Sequence, residues 1–180
     1  MEKPGILLAY GEGMQPFDEA TLDRLDRAGR LLDRAPISDW SDPRADDLLP
    51  RTEIIVGHWA MPLFEDSLFD RAPNLKLLAY AAGTVKWYAT DRLFDHGVTV
   101  TSCADANAIP TAEYAAASIV LANKRAHVAF DHEKRRPAWT PPAGARPVGN
   151  WDKTVGLVAA SLVGRTVAGI LRAFPGLRVE

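Results

Sequence analysis

The chain has 180 residues, 47% hydrophobic and 24% charged, the balance of an ordinary globular protein with room for one good core and part of a second. A net charge of -2 removes the electrostatic case for nucleic acid or an anionic membrane surface as partner. Cys103 is the single cysteine, which excludes disulfides and cysteine-based metal sites; with no membrane-length apolar run and no basic-then-apolar leader, the expected compartment is the cytoplasm.

Gly5 to Tyr10 reads as a short apolar strand, with Gly11-Glu12-Gly13 as the turn after it. Asp18 is placed to cap a helix that carries Leu22, Leu25 and Ala28 on one face. A glycine-rich turn between strand and helix invites a phosphate-loop reading. No P-loop lysine follows, however, and G-x-G alone is a common turn, so the plain turn is preferred. Ile37 to Trp40 is expected as a second, edge-like strand, and Arg44 to Leu49 as a short helix between Pro43 and Pro50. Thr52 to His58 is a stronger strand, β-branched and buried in pattern. His58-Trp59 falls at its carboxyl end. His58 has the pKa range of an acid or base, but no acidic orienter is visible, which favours a capping or rim histidine. Phe64 to Arg71 then reads as a helix ended near Pro73.

The best-defined stretch runs from Asn74 to Arg125. Leu75 to Ala82 is a near-continuous apolar run ending in Gly83-Thr84, as for a buried parallel strand. Thr90-Asp91 supplies the cap and first acid of a short helix that Gly97 stops, and Val98 to Cys103 returns as a β-branched strand. Pro110 is expected to open a helix running to about Lys124. The run from Ala112 to Ala122 is apolar almost all round, which predicts a helix buried on several sides, as one between two domains is. Five strands alternating with helices in the first 103 residues make a doubly wound parallel sheet of the flavodoxin-like α/β class. Ligands of such sheets sit at the carboxyl ends of strands, which singles out Ala82-Gly83-Thr84 and Ala104 to Ile109.

Asp131 to Arg136 is a mixed-charge run that suits a solvated helix end, and Pro137 to Gly149 has the Pro/Gly content of a linker or arm. Lys153 to Val158 is a strand, Leu162 to Phe174 a helix, Pro175-Gly176 its stop, and Leu177 to Glu180 the start of another strand. A lone β-α-β unit cannot bury both faces of its sheet; a domain opened this way normally needs on the order of 100 more residues. Its uncovered apolar face predicts aggregation or dimerisation.

The turn of that unit reads Ala159-Ala160-Ser161-Leu162-Val163-Gly164, where a dinucleotide fingerprint has G-x-G-x-x-G. Only Gly164, the packing glycine, is in place. Ala159 is strained if the turn needs positive φ, and Ser161 adds a side chain whose hydroxyl can donate a hydrogen bond. Anion binding at the helix N-terminus is compatible with both changes. From the pattern alone, dinucleotide binding and a plain strand-turn-helix both stand. The acidic ribose-binding residue is expected about 20 residues on, where Glu180 is the nearest candidate.

Four stretches come in an order and spacing that together resemble one family. They are Pro73-Asn74-Leu75-Lys76-Leu77 running into Ala82-Gly83-Thr84-Val85; Gly97 to Thr101; Ala106-Asn107-Ala108-Ile109-Pro110-Thr111-Ala112-Glu113-Tyr114; and Lys153 to Val158 with Gly164-Arg165. The chain resembles the D-isomer-specific 2-hydroxyacid dehydrogenases, which include phosphoglycerate dehydrogenases and glyoxylate reductases. The resemblance implies a flavodoxin-like substrate domain over residues 1–110, an interdomain helix and Pro/Gly-rich arm over 111–150, and the opening β-α-β of a Rossmann NAD(P)-binding domain over 151–180. It implies NAD or NADP as cofactor, a small 2-hydroxy or 2-keto acid as substrate, no nucleic acid or membrane, no metal, and a homodimer at full length.

By the same resemblance, backbone N–H groups of Ala82, Gly83 and Thr84 hold the substrate carboxylate, with Asn107 near it. Thr111 lies by the nicotinamide, and Ala160, Ser161, Leu162, Val163 and Gly164 lie at the pyrophosphate. Val85 stands where many members have another glycine. The family's carboxylate-clamping arginine and its proton-moving histidine with orienting glutamate have no counterpart here. No catalytic residue is assigned, and the chain, read as truncated, is expected to be inactive alone. The alternative is a non-catalytic flavodoxin-like module that binds a small ligand or a protein, as dehydrogenase-like corepressors do.

Overall fold

The computed structural model describes residues 2–135 and 148–180. They fall into two compact units, Met1–Ala104 and Asp105–Glu180. In the first, the strands are β1 (Gly5–Ala9), β2 (Arg30–Leu31), β3 (Ile54–Gly57), β4 (Leu77–Tyr80) and β5 (Thr99–Ser102). Between them lie α1 (Glu19–Ala28), α2 (Ala45–Leu48) with a 3-10 turn over Leu49–Arg51, α3 (Asp66–Arg71) and α4 (Asp91–Asp95). All pairings are parallel and the order is β2-β1-β3-β4-β5. This is the doubly wound, flavodoxin-like order expected of the sequence.

Alternation along the strands sends side chains to two faces. Leu7, Ala9, Ile55 and Leu78 pack with Leu68 of α3 and Leu93 of α4 on one face. Ile6, Leu8, Tyr10 and Val56 pack with Leu22 of α1 on the other. Asp18 caps α1, its carboxylate accepting from the Thr21 N–H at 2.8 Å, and Thr90 caps α4. Gly97, at φ +73°, ends the α4 segment in the left-handed region. The register brings Ala9, Gly57, Tyr80 and Ser102 into one row across the sheet. The loops that follow β1, β3, β4 and β5 therefore share one rim.

The edge strand differs from expectation. It is Arg30–Leu31, and Ile37 to Trp40 is not a strand. Ile37 makes one isolated bridge to Ala9, exchanging bonds with Leu8 and Tyr10. The ladder stops there because the Asp39 carboxylate takes the Ser41 N–H at 2.8 Å and Asp42 takes the Arg44 N–H at 2.9 Å, local bonds that compete with strand pairing. Trp40 is nonetheless buried, with its indole N–H donated to the Leu63 carbonyl at 2.8 Å.

In the second unit, α5 (Ala104–Asn123) is followed by α6 (Ala126–Arg135), β6 (Lys153–Val155), α7 (Leu162–Leu171) and β7 (Leu177–Val179). Pro110 does not open α5 but lies within it. Proline removes one donor, so the Ala106 carbonyl loses its helical partner; Ala106 is exposed, and water can take that bond. The alanine-rich sequence on both sides carries the helix through. The burial expectation for this helix also fails: Ala108, Ala112 and Ala116 form one buried stripe, while Ile109, Tyr114 and Leu121 are exposed. Alanine tolerates either environment, so its run does not report how many sides are covered.

Arg125, at φ +52°, breaks α5 from α6. The Asp131 to Arg136 run begins inside α6, with Asp131 and Lys134 exposed; Arg136, and the expected arm from Pro137 through Pro147, lie outside the described residues. Beyond them the chain returns to α5, where Asn123 accepts from the Gly149 N–H and donates to the Asn150 side chain, both at 3.0 Å. β6 and β7 pair in parallel, Lys153 opposite Leu177 and Val155 opposite Val179. Val167 and Leu171 of α7 pack against Ala112 and Ala116 of α5. Among the described residues, no helix is long and apolar enough to cross a membrane.

Candidate functional site

Ala82-Gly83-Thr84 follows β4 on the carboxyl rim of the first sheet. The loop is held at both ends. Tyr80 and Tyr88 pack with ring centroids 5.1 Å apart, and the Val85 carbonyl accepts from the N–H groups of Tyr88 and Ala89 at 2.8 Å each. Burial, and then the neighbouring Tyr88, push the Tyr80 hydroxyl up to about 12, so it is neutral at working pH. Ala82 is buried and its carbonyl accepts from the Cys103 N–H at 3.0 Å. The Thr84 hydroxyl accepts from the Lys86 N–H at 3.4 Å. Among the described residues the N–H groups of Gly83 and Thr84 have no partner. Successive unpaired N–H groups at a strand end can receive a carboxylate.

His58 sits on the same rim. Its Nδ1 is buried with no hydrogen-bond partner, and burial lowers its pKa. The ring packs edge-on to Phe17 and against Trp59. Among the described residues no carboxylate orients it, so it is a rim histidine whose charged form burial disfavours.

In the second unit, the turn after β6 departs from a simple loop. Ala159 has φ +73°, the conformation for which a fingerprint supplies its first glycine. A Cβ on Gly164 would stand 2.7 Å from the Ala159 carbonyl oxygen, so glycine is required there. Ser161 is the N-cap of α7: its hydroxyl accepts from the Gly164 N–H at 3.2 Å and keeps its hydrogen to donate. Leu162 and Val163 are the first two residues of the ten-residue helix, and their N–H groups are the ones a helix leaves unpaired. Ala159, Ala160, Gly164, Arg165 and Glu180 share the lining of a shallow cavity of about 310 Å³. Its chemistry suits an anion at the helix N-terminus, with a carboxylate beside it.

Asn107 and Thr111 both lie on α5 in the second unit, whereas Ala82, Gly83 and Thr84 belong to the first. The Thr111 hydroxyl donates to the Asn107 carbonyl at 3.0 Å, one helical turn back. Among the described residues no group of three His, Cys, Asp or Glu is placed to hold a metal.

No family model matches the chain, and no curated protein matches it. Solved structures do. An acyclic imino acid reductase in complex with NADPH and D-Arg matches with a TM-score of 0.68 at 19% identity, over 98% of this chain and 60% of that one. A 2-hydroxyacid dehydrogenase from Ketogulonicigenium vulgare Y25 gives 0.66 at 20% identity, over 99% and 54%. A D-lactate dehydrogenase from Treponema pallidum gives 0.67 at 18%, over 97% and 52%. The chain has the fold of the D-2-hydroxyacid dehydrogenases. It spans about half to three fifths of the length of these solved structures.

Against the dehydrogenase fold, two features had little signal in the sequence. Tyr80 and Tyr88 brace the loop after β4, and their spacing across it is the only trace of this. Arg165 donates to the Ala160 carbonyl and so fixes the far side of the turn between β6 and α7. It follows the packing glycine directly, an adjacency that by itself does not foretell the bond.

Proposed function

We propose that the chain is an NAD(P)-dependent oxidoreductase of the D-2-hydroxyacid dehydrogenase type. In this reading the first unit is its substrate domain and the second carries the start of its nucleotide-binding domain. The observation that carries the reading is the turn from Ala159 to Gly164. An alanine held at positive φ, and a glycine that a methyl group would drive into backbone, are costs a plain connection need not bear. They are the geometry that lets a pyrophosphate approach a helix N-terminus.

The groups present fit that cofactor. Backbone N–H groups of Ser161, Leu162 and Val163 meet the pyrophosphate, the Ser161 hydroxyl donates to it, and Gly164 keeps α7 close to the turn. Glu180, on the rim of the same cavity, accepts from ribose hydroxyls. The bound nicotinamide supplies hydride chemistry. On the substrate side, Gly83 and Thr84 direct unpaired N–H groups to the carboxylate of a small 2-hydroxy or 2-keto acid. The exposed Tyr114, Leu121 and Phe130 support self-association through the second unit.

Hydride transfer also needs a clamp on the carboxylate and a group to move the hydroxyl proton. His58 is half-buried, with its Nδ1 unpartnered and its charged form disfavoured by burial, and does not meet that need. The 180-residue polypeptide is therefore expected to bind NADH without oxidising it. Mixing it with NADH and glyoxylate, pyruvate or hydroxypyruvate tests both halves. Saturable binding with no loss of absorbance at 340 nm agrees with the reading. Turnover, or no binding at millimolar NADH, contradicts it.

A further inference from the structure

The loops after β3 and β4 are neighbours on the carboxyl rim of the first sheet, Gly57 standing opposite Tyr80 in the ladder that leads into them. Each carries a tryptophan in water: Trp59 is 56% exposed and Trp87 74%. The residues around Trp59 are anchored. The Met61 N–H donates to the His58 carbonyl at 3.1 Å, the Gly11 N–H donates to the Trp59 carbonyl at 3.0 Å, and Met61 is buried. Ala60 takes φ +56° to make this turn, and a Cβ on Gly11 would stand 2.8 Å from the Ala60 Cβ. A left-handed alanine is a cost, borne here by a turn that leaves its indole outside the core.

Trp87 is presented in the same way. Tyr88 beside it is buried and packed on Tyr80, and the Val85 carbonyl closes the turn on the Tyr88 N–H at 2.8 Å. Two indoles held out of the core on adjacent strand-end loops forfeit the burial that large aromatic groups normally gain. Exposed apolar surface at the ligand end of an α/β sheet is what a binding wall looks like. The polar half of the chemistry lies on the same loop. Gly83 and Thr84 have unpaired N–H groups, and Lys86 is exposed with no ion pair or side-chain hydrogen bond among the described residues. From Gly83 to Trp87 the loop thus offers two donors and a cation to a carboxylate, and then an indole to an apolar group.

We infer that the substrate side of this protein is built for a 2-keto acid with an aromatic side chain, and not for the shortest members of that class. The carboxylate accepts from the Gly83 and Thr84 N–H groups and pairs with Lys86, while the ring lies against Trp87 and Trp59. The inference rests on the 2-keto acid reading above and adds to it the group that the acid carries beyond its carbonyl.

Amide-resolved NMR on the 180-residue protein tests this, with phenylpyruvate, pyruvate and the uncharged 3-phenylpropanamide as probes. Both acids should shift the Gly83 and Thr84 amides, phenylpyruvate at about ten-fold lower concentration, and only phenylpyruvate should also move the Trp59 and Trp87 indole signals. The neutral amide keeps the ring without the charge and should bind about ten-fold more weakly than phenylpyruvate. Trp59→Ala with Trp87→Ala, both at exposed positions that folding does not need, should bring phenylpyruvate to the affinity of pyruvate. Lys86→Gln should weaken both acids alike. Equal affinity for the two acids at Gly83 and Thr84 would overturn the aromatic side chain and leave the carboxylate reading standing. No shift of those amides with either acid would overturn both. Binding of the neutral amide as tightly as phenylpyruvate would mark a plain apolar surface and overturn the inference as well.

Discussion

Ala159 holds a φ of +73°, and its carbonyl oxygen stands 2.7 Å from where a Cβ on Gly164 would be built. The two residues lock the turn between β6 and α7 from opposite sides, and opposite substitutions should have opposite effects. Gly164→Ala forces a methyl against backbone and should cost about 1–3 kcal/mol. Ala159→Gly relieves the left-handed strain and should gain about 1 kcal/mol. Urea denaturation of both variants checks this; midpoints unmoved in either direction would mean the turn is not built this way.

His58 makes stability depend on pH. Burial holds its folded-state pKa below the ordinary 6.5, so the unfolded chain takes up a proton as pH falls below 6.5 while the folded chain resists. The stability present above that value is lost as pH falls through the folded-state value. Denaturation midpoints between pH 7.5 and 5 should fall more steeply for the parent than for His58→Asn. Parallel slopes would show that His58 is not desolvated.

Tyr80 acts at the alkaline end. Its hydroxyl ionises near 12 in the fold against 10.0 ordinarily, so its contribution is present below pH 10 and is lost between 10 and 12. Tyr80→Phe should flatten the decline over that window, read by circular dichroism. An unchanged decline would assign it to other groups.

The exposed side chains of α5 and α6 should make the protein self-associate. Tyr114 and Phe130 are 78% and 62% exposed, unusual for large apolar groups on neighbouring helices. Light scattering should report a mass above the monomer, reduced by Tyr114→Lys with Phe130→Glu. A monodisperse parent monomer would count against this.

The parallel sheet was legible in the sequence because its strands are short, apolar and bounded by glycine or capping residues, as Leu77–Tyr80 and Asp91 with Thr90 illustrate. The second strand was not, since Arg30–Leu31 has no hydrophobic pattern and is held by backbone bonds to Pro4 and Ile6. Pro110 misled because proline marks a helix start only where no helix-forming sequence precedes it. Ala159 was legible as a strain point, but its sign of φ needed coordinates. The loop after β4 announced itself through Gly83, whereas the Tyr80–Tyr88 brace, a tertiary contact, did not.

Ser161 allows the most direct test of the nucleotide reading. Aspartate is as good an N-cap as serine, so Ser161→Asp should leave the melting temperature unchanged or raise it while placing a carboxylate where the pyrophosphate would lie. NADH's own emission is the readout, because Trp151 packs on Gly176 at the opposite end of β6. The parent should give a saturable change below millimolar NADH, and the folded variant should lose it by tenfold or more. Equal binding by both proteins, or none by the parent, would contradict a dinucleotide at this turn.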